Sequence, residues 1–360
     1  MKKIVFVIGM MGNGGAERVI AALSNQFVKN GIGVRIITIY TDRQDYPLDE
    51  SVELVPIICK NSVRLFRPIE RIHLIRRLIE QSQPDCVVSF LADVNIHTLL
   101  AMKGSDIPVI VSERNDPQRD PKRSYKRKIR DRIYRWANGY VFQTPDAMAY
   151  FKNIIHGNAK TAVIPNPLTD ELPFYEFDPS NRRLITACRL NVQKNLPLMI
   201  DAVGDVIADG RECTLDIYGS GPLEQELTEY IQKKKLENSV FLKGFSKDIH
   251  REMCHSAAFI ISSDYEGISN SMLEALAIGV PVIATDCPVG GARMFIQNGQ
   301  NGFLTQVGNR QQLAESIKLL LDNPQKAFQM GQKASDIRTV LNADIITKKW
   351  RLFIDEIISG

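Results

Sequence analysis

The stretch IISSDYEGISNSMLEALAIGVPVIAT, residues Ile260 to Thr285, is apolar at both ends and polar in its middle, with Glu266 and Glu274 eight residues apart. Its pattern predicts a buried strand over Ala257 to Ser262, a short helix over Ser269 to Ile278 and a second buried strand over Val280 to Thr285. The turn from Asp264 to Asn270 then falls where the carboxyl end of a strand meets the amino end of a helix, which is where open α/β sheets bind ligands. On one continuous helix eight residues span roughly 12 Å, too far for both carboxylates to hold one atom but right for gripping two parts of an extended ligand. The amides of Ser269, Asn270 and Ser271 would lie between them and suit a phosphate.

Outward from this stretch the chain alternates strands with helices, the pattern of parallel, doubly wound sheets. Lys3 to Gly9, Val34 to Tyr40, Val87 to Phe90, Val109 to Ser112 and Arg183 to Ala187 read as strands, and Ala16 to Asn30, Glu70 to Gln81 and Asn95 to Met102 as helices. A length of 360 residues suits two domains of about 170, each able to bury a core. Cys59, Cys86, Cys188, Cys213, Cys254 and Cys287 stand singly, with no CxxC pair and no histidine at metal spacing, which fits buried thiols in a reducing cytoplasm. Met1 to Gly9 is too short an apolar run for a signal peptide and reads as the first strand. No run approaches the ~20 apolar residues of a membrane span.

The net charge of +4 is unevenly spread: residues 1 to 170 hold 25 Lys and Arg against 17 Asp and Glu, leaving 20 against 24 for the rest. Much of the excess lies in KRSYKRKIRDRIYR, Lys122 to Arg135, which has eight basic residues and one acid, with Trp136 following. At helical spacing Ile129, Ile133 and Trp136 share a face flanked by basic residues. Such a helix rests on an anionic membrane, at about 1 kcal/mol per basic residue, or packs its apolar face on the sheet and leaves its charges in water, and the two readings are compatible. No recognition motif accompanies the charge, which argues against nucleic acid.

Between the first strand and helix lies GMMGNGGAER, Gly9 to Arg18, a turn whose backbone amides can close on a phosphate. A dinucleotide fingerprint starting at Gly12 requires glycine at position 17, where Glu17 stands, so a nicotinamide oxidoreductase is disfavoured. The stretch IPNPLTDELPFYEFDPSNRR, Ile164 to Arg183, has four prolines and marks a linker.

Glu266 to Ala284 fits E-G-x-x-N-x-x-x-E-A-x-A-x-G-x-P-V-x-A at all ten fixed positions, and so resembles the EX7E signature of the retaining GT-B glycosyltransferases of family 4. The resemblance extends along almost the whole chain. Gly14-Gly15-Ala16-Glu17-Arg18 is similar to that family's GGAER loop, which approaches the donor diphosphate. Pro165-Asn166-Pro167 resembles its hinge. Arg189-Leu190 with Lys194-Asn195 resembles its diphosphate-binding pair, with Cys188 in place of the usual glycine. Gly219 and Gly221 match its G-x-G-P turn, Val240 to Ile249 its base-reading segment with Gly244 and Phe245, and Pro288 to Arg293 its later glycine-rich loop. Related enzymes often carry histidine where Arg114 stands in Ser112-Glu113-Arg114-Asn115. Arg114 suits an anionic acceptor by its fork of donors, or pairs with Glu113 or Asp116 as structure. His97, in a helix-like stretch, reads as structural.

The resemblance implies an α/β fold of GT-B type, two Rossmann-like parallel-sheet domains with an interdomain cleft and a C-terminal helix crossing back. The expected divisions are 1–168 for an acceptor-binding domain, 169–182 for the hinge, 183–342 for a nucleotide-sugar domain and 343–360 for the crossing helix with Trp350 and Phe353 inward. It further implies transfer of a hexose or N-acetylhexosamine from a UDP-sugar with retention, on the front face of the donor, the leaving phosphate taking the acceptor's proton. Glu266, Arg189 and Lys194 would be catalytic. Gly14, Gly15, Gly219, Gly244, Phe245, Ile249, Asn270, Ser271 and Glu274 would bind the donor, Glu274 through the ribose, and Arg114 and Asn115 the acceptor. Two fixed cations beside the diphosphate remove the need for a metal, and no DxD triplet occurs, so no cofactor is expected. The expected acceptor is a lipid-linked, polyprenyl diphosphate oligosaccharide, with the enzyme cytoplasmic and peripheral on the inner face of the membrane through residues 122–136. A non-catalytic nucleotide-sugar-binding subunit of the same fold would be expected to have lost Glu266, Arg189 or Lys194, and all three are present.

Overall fold

The computed structural model describes residues 2–12, 14–59, 66–155, 157, 159–169 and 171–360. Asn13 of the glycine-rich turn and Asp170 of the linker lie outside the described residues. The chain divides into two compact units, one of Met1–Pro167 with Leu341–Gly360 and one of Leu168–Val340.

In the first unit the strands are β1 Lys3–Ile8, β2 Gly33–Thr38, β3 Glu53–Pro56, β4 Cys86–Phe90, β5 Val109–Glu113, β6 Gly139–Phe142 and β7 Lys160–Val163. They pair in parallel in the order β3-β2-β1-β4-β5-β6-β7. Strand order reverses at β1 and β4, which run in register from Ile4 opposite Cys86 to Val7 opposite Ser89. That reversal opens a crevice at their carboxyl ends, where β1 delivers the Gly9–Gly15 turn. Ile4 to Ile8 are at most 2% exposed, as a central strand covered on both faces must be.

The second unit repeats the plan with β8 Arg183–Ala187, β9 Thr214–Tyr218, β10 Val240–Gly244, β11 Ala258–Ile261, β12 Val282–Thr285 and β13 Phe303–Thr305. Their order is β10-β9-β8-β11-β12-β13, again parallel, and the reversal lies between β8 and β11. The core under this sheet joins Leu184, Ile217 and Ile260 to Ile200 and Val203 of the helix Leu196–Ala208 and to Ile317 of the helix Arg310–Asp322. Everything that leaves β8 and β11 at their carboxyl ends therefore meets at one place.

The helix Ala343–Ser359 belongs to the first unit. Asn342 caps it by accepting from the Asp344 amide. Trp350, fully buried, stacks on Phe90 at the end of β4 with ring centroids 5.6 Å apart, and Phe353 is buried as well. Ile357 lies so close to β6 that a Cβ on Gly139 would come within 2.8 Å of it. Each such buried side chain contributes roughly 1.5–3 kcal/mol before entropy is counted.

Four strands, β3, β6, β7 and β13, escape a periodicity reading: three or four residues hold too few positions to show alternation, and they lack the spaced motif that frames the equally short β11 and β12. The basic segment forms the helix Ser124–Tyr134, and its faces differ from the expected division. Ile133 is buried, but Ile129 and Trp136 stay 46% and 40% exposed while Arg130 is fully buried. The Arg130 guanidinium donates to the carbonyls of Pro117 at 2.9 Å and Asp120 at 2.5 Å, to Tyr150 Oη at 3.1 Å and to Asp131 at 2.9 Å. With those donors used, a charge can occupy a position that hydrophobic patterning assigns to an apolar residue.

Candidate functional site

Beyond β8, Cys188-Arg189-Leu190 leads into a single 3-10 turn, Val192–Lys194, and Asn195 takes φ +42° to open the next helix. Asparagine tolerates that conformation better than other side-chain-bearing residues do. The turn is fastened to the segment leaving β11. Ser262 Oγ donates to the carbonyls of Lys194 (2.8 Å) and Asn195 (3.0 Å), and the Asp264 amide to the carbonyl of Gln193 (2.9 Å). Gln193 Nε2 donates to the carbonyl of Tyr265 at 2.9 Å, and Asn195 Nδ2 to Asp264 Oδ1 at 2.7 Å.

So held, Lys194 Nζ lies 2.5 Å from Glu266 Oε2, which also accepts from Ser263 Oγ at 3.0 Å. The two side chains keep 15% and 19% exposure, partly sheltered yet open to a ligand. Burial works to lower the Lys194 ammonium, but the Glu266 carboxylate together with the neighbouring Cys188 and Cys287 outweighs it, so its pKa is raised and it stays cationic at any ordinary pH. Burial pushes the neighbouring thiols up, Cys188 to about 11 and Cys287 to about 12, so both are neutral there. Arg189 is exposed, and among the described residues its side chain makes no hydrogen bond or ion pair.

The helix after this turn is Asn270–Ile278, with Ser269 as its cap accepting from the Met272 amide. Glu266 therefore precedes the helix rather than riding on it, and the two glutamates do not share one helix face. Glu274, with its side chain only 4% exposed, lies 3.2 Å from His250 Nε2 through Oε2. Ser271 Oγ is 3.1 Å from Ser269 Oγ, beside the helix amides. Backbones close on each other around the site. A Cβ on Gly219, at φ +128°, would stand 1.9 Å from the carbonyl oxygen of Cys188, and one on Gly291 would stand 1.8 Å from that of Gly267. At Gly244 no other part of the chain lies within 4 Å of a Cβ, and glycine serves its φ of +69°. Phe245 is 63% exposed, and Ile249 begins the helix Ile249–Cys254.

In the first unit Gly14 caps the helix Gly15–Lys29 without a side chain, and a Cβ there would meet the carboxylate of Glu17 at 2.1 Å. Glu17 thus folds back over the helix start, where a negative charge is favoured. Arg114 forms no ion pair with Glu113 or Asp116. Its Nη1 donates to Asn166 Oδ1 at 2.9 Å, and its guanidinium carbon sits 4.4 Å from the Phe90 ring centre and 5.4 Å from that of Trp350. Nε and Nη2 are buried without a hydrogen-bond partner, and burial holds the group down at about 9, with Glu113 pulling the other way. Glu113 instead accepts from Tyr134 Oη and, at 3.4 Å, from Asn95 Nδ2, and burial raises it to about 7. Asn115 Oδ1 accepts from the amide of Asp116 at 2.9 Å. His97 Nδ1 lies 2.6 Å from the Asp93 carbonyl, a local helix contact.

The structure thus gathers Lys194, Glu266, Ser271 and Glu274 with Gly219 at the carboxyl ends of β8, β9 and β11, and keeps Arg114, Asn115, Gly14 and Gly15 in the first unit. Sequence reasoning missed Ser263 and His250, single residues with no spacing signal, and the Asn195–Asp264 bond that ties the two loops together. Among the described residues no three His, Cys, Asp or Glu side chains converge to hold a metal ion, and no helix is long and apolar enough to cross a membrane.

Residues 170–336 match the family described as Glycosyl transferases group 1, and residues 13–172 match Glycosyltransferase Family 4. The chain is 25% identical over 361 residues to the amylovoran biosynthesis glycosyltransferase of Erwinia amylovora, covering 97% of this chain and 98% of that one. It is 24% identical over 370 residues, 99% of each chain, to a Campylobacter jejuni α-1,4-N-acetyl-D-galactosaminyltransferase whose name gives a GalNAc-containing, undecaprenol-PP-linked glycan. Among solved structures, an Anabaena protein in complex with UDP-glucose superposes with a TM-score of 0.81 at 19% identity, covering 100% of both chains.

Proposed function

The chain belongs to the family 4 and group 1 glycosyltransferases of GT-B fold, and from that premise we propose that it moves a hexose or N-acetylhexosamine from a UDP-sugar, with retention, to a lipid-linked oligosaccharide during glycan or surface polysaccharide assembly. The observation that carries this reading is the Lys194–Glu266 pair fixed at the reversal between β8 and β11, beside the amino end of the helix Asn270–Ile278. Lys194, the unpaired Arg189 and the first amides of that helix supply positive potential for a diphosphate. Glu274 takes the ribose hydroxyls, and Glu266 attends the sugar once the diphosphate has drawn Lys194 away from it. As the bond from C1 to the phosphate oxygen breaks, the acceptor oxygen bonds C1 on the same face and passes its proton to the leaving phosphate. These cations make a metal unnecessary, so turnover is expected to survive a chelator.

On the acceptor side, the two unpartnered Arg114 donors suit a phosphate oxygen. Tyr125, Ile129 and Trp136 are exposed beside exposed Lys122, Arg123, Lys128, Arg132 and Arg135. That combination favours peripheral attachment to an anionic membrane, where such an acceptor resides. The test is a panel of nucleotide sugars offered with a short prenyl diphosphate glycan, reading released nucleoside diphosphate and product anomer. Turnover with a UDP-sugar, lost at least about 100-fold in Glu266→Gln and Lys194→Ala, is expected. No turnover with any donor, or an inverted product, overturns the reading.

A further inference from the structure

Glu274, assigned to the ribose, is a buried carboxylate that some other group must hold ready. Isolated from water, that carboxylate is costly unless a donor faces it. One group that does so is His250, whose Nε2 stands 3.2 Å from Glu274 Oε2 and, though buried, has no well-aligned hydrogen-bond partner. At 3.2 Å the contact is within reach but not a well-formed hydrogen bond, so the imidazole keeps donor capacity with which to tighten onto the carboxylate.

His250 is also firmly mounted. It follows directly on the segment leaving β10, in the helix Ile249–Cys254, whose Met253 and Cys254 are buried. Arg183 on β8 fastens the far end of that helix through Glu252 Oε2 at 2.9 Å, the Glu252 carbonyl at 2.6 Å and the His255 carbonyl at 3.0 Å. The Gly219 amide donates to the Gly244 carbonyl at 2.8 Å, so the turns after β9 and β10 are joined just ahead of it. A residue fixed from behind, with its ring nitrogen against the carboxylate, is placed to set that carboxylate's plane.

We propose that His250 is a positioning residue for ribose recognition: it acts through Glu274, orienting the carboxylate so that it accepts from the vicinal hydroxyls of the donor nucleotide. This deepens the glycosyltransferase reading and rests on it. The chemistry requires only an N–H donor at the Nε2 position, so an amide of similar reach should serve.

The test measures, by calorimetry on the full chain, affinity for UDP and for 2′,3′-dideoxy-UDP in wild type, Glu274→Ala, His250→Leu and His250→Gln. Wild type is expected to favour UDP by about 10- to 100-fold, as for hydrogen bonds to a charged group. Glu274→Ala and His250→Leu should both bring that ratio close to one, while His250→Gln restores most of it. If Glu274→Ala abolishes the preference but His250→Leu keeps it, the inference is overturned and the donor reading stands. If Glu274→Ala itself keeps the preference, or wild type binds no UDP, the ribose assignment falls and the inference with it. A merely structural histidine would weaken both nucleotides equally and leave the ratio untouched.

Discussion

Lys194 and Glu266 serve each other before they serve a ligand. Removing one partner leaves the other charge sheltered and unpaired, which costs roughly 3 kcal/mol where such pairs are buried. Lys194→Met and Glu266→Gln should each lower stability in urea titrations, and the double variant should recover most of the loss while remaining inactive. Equal losses that simply add would show the pair to be uncoupled. Glu113 gives a second prediction. Its folded pKa of about 7 lies above the usual carboxylate value of 4.5, so the native state holds its proton longer than the unfolded chain does. Its contribution is whole below about pH 4.5 and is lost as the pH rises to 7, at roughly 1.4 kcal/mol per unit. Glu113→Gln should flatten this part of the pH dependence of the melting temperature. At this scale the sequence was legible wherever a residue sat in a spaced motif, as Glu266, Lys194 and Glu274 do. It marked Arg114 but not its partners, and it was silent on the burial of Glu113 and on His250, because their surroundings come from Asn95, Tyr134, Asn166, Trp350 and Glu274, residues on other elements of the fold.

Among the elements, the basic helix Ser124–Tyr134 splits its arginines between two tasks. Arg130 is committed to the interior, whereas Lys122, Arg123, Lys128 and Arg132 face outward. Reversing those four outward charges to glutamate should release the protein from vesicles containing anionic lipid in a flotation assay and leave the melting temperature nearly unchanged. Arg130→Ala should do the opposite, lowering stability by about 3 kcal/mol or more through orphaned carbonyls and lost packing on Phe151, with little effect on lipid binding beyond unfolding. The long elements were readable because a helix of fifteen residues repeats its apolar stripe several times. The same argument fails for β13, three residues long, and for the split of the basic helix, since no periodicity distinguishes a charge that finds four acceptors from one that finds water.

For the whole molecule, two doubly wound sheets were foreseeable from alternation and length, and the return of the final helix was foreseeable only from family resemblance. Nothing local to Ala343–Ser359 names its partner; Trp350 needs an apolar recess, and Phe90 supplies one from 260 positions earlier. Ending the chain after Val340 should lower the temperature of the first unit's cooperative transition in calorimetry, or abolish it, while the transition of the second unit persists. Retention of both transitions would mean the helix contributes little to the first core.

That returning helix also sets an order of events at birth. All of Leu168–Val340 is translated between the first sheet and the segment that covers Phe90, and at about 5–20 residues per second the wait is of the order of ten seconds or more. The nascent first lobe must pass that interval with an uncovered aromatic, open to holdase chaperones and to sticky neighbours on the same polysome. Slow codons or cold growth would lengthen the exposure, so yield on expression should respond to translation speed more than the finished fold's stability would suggest.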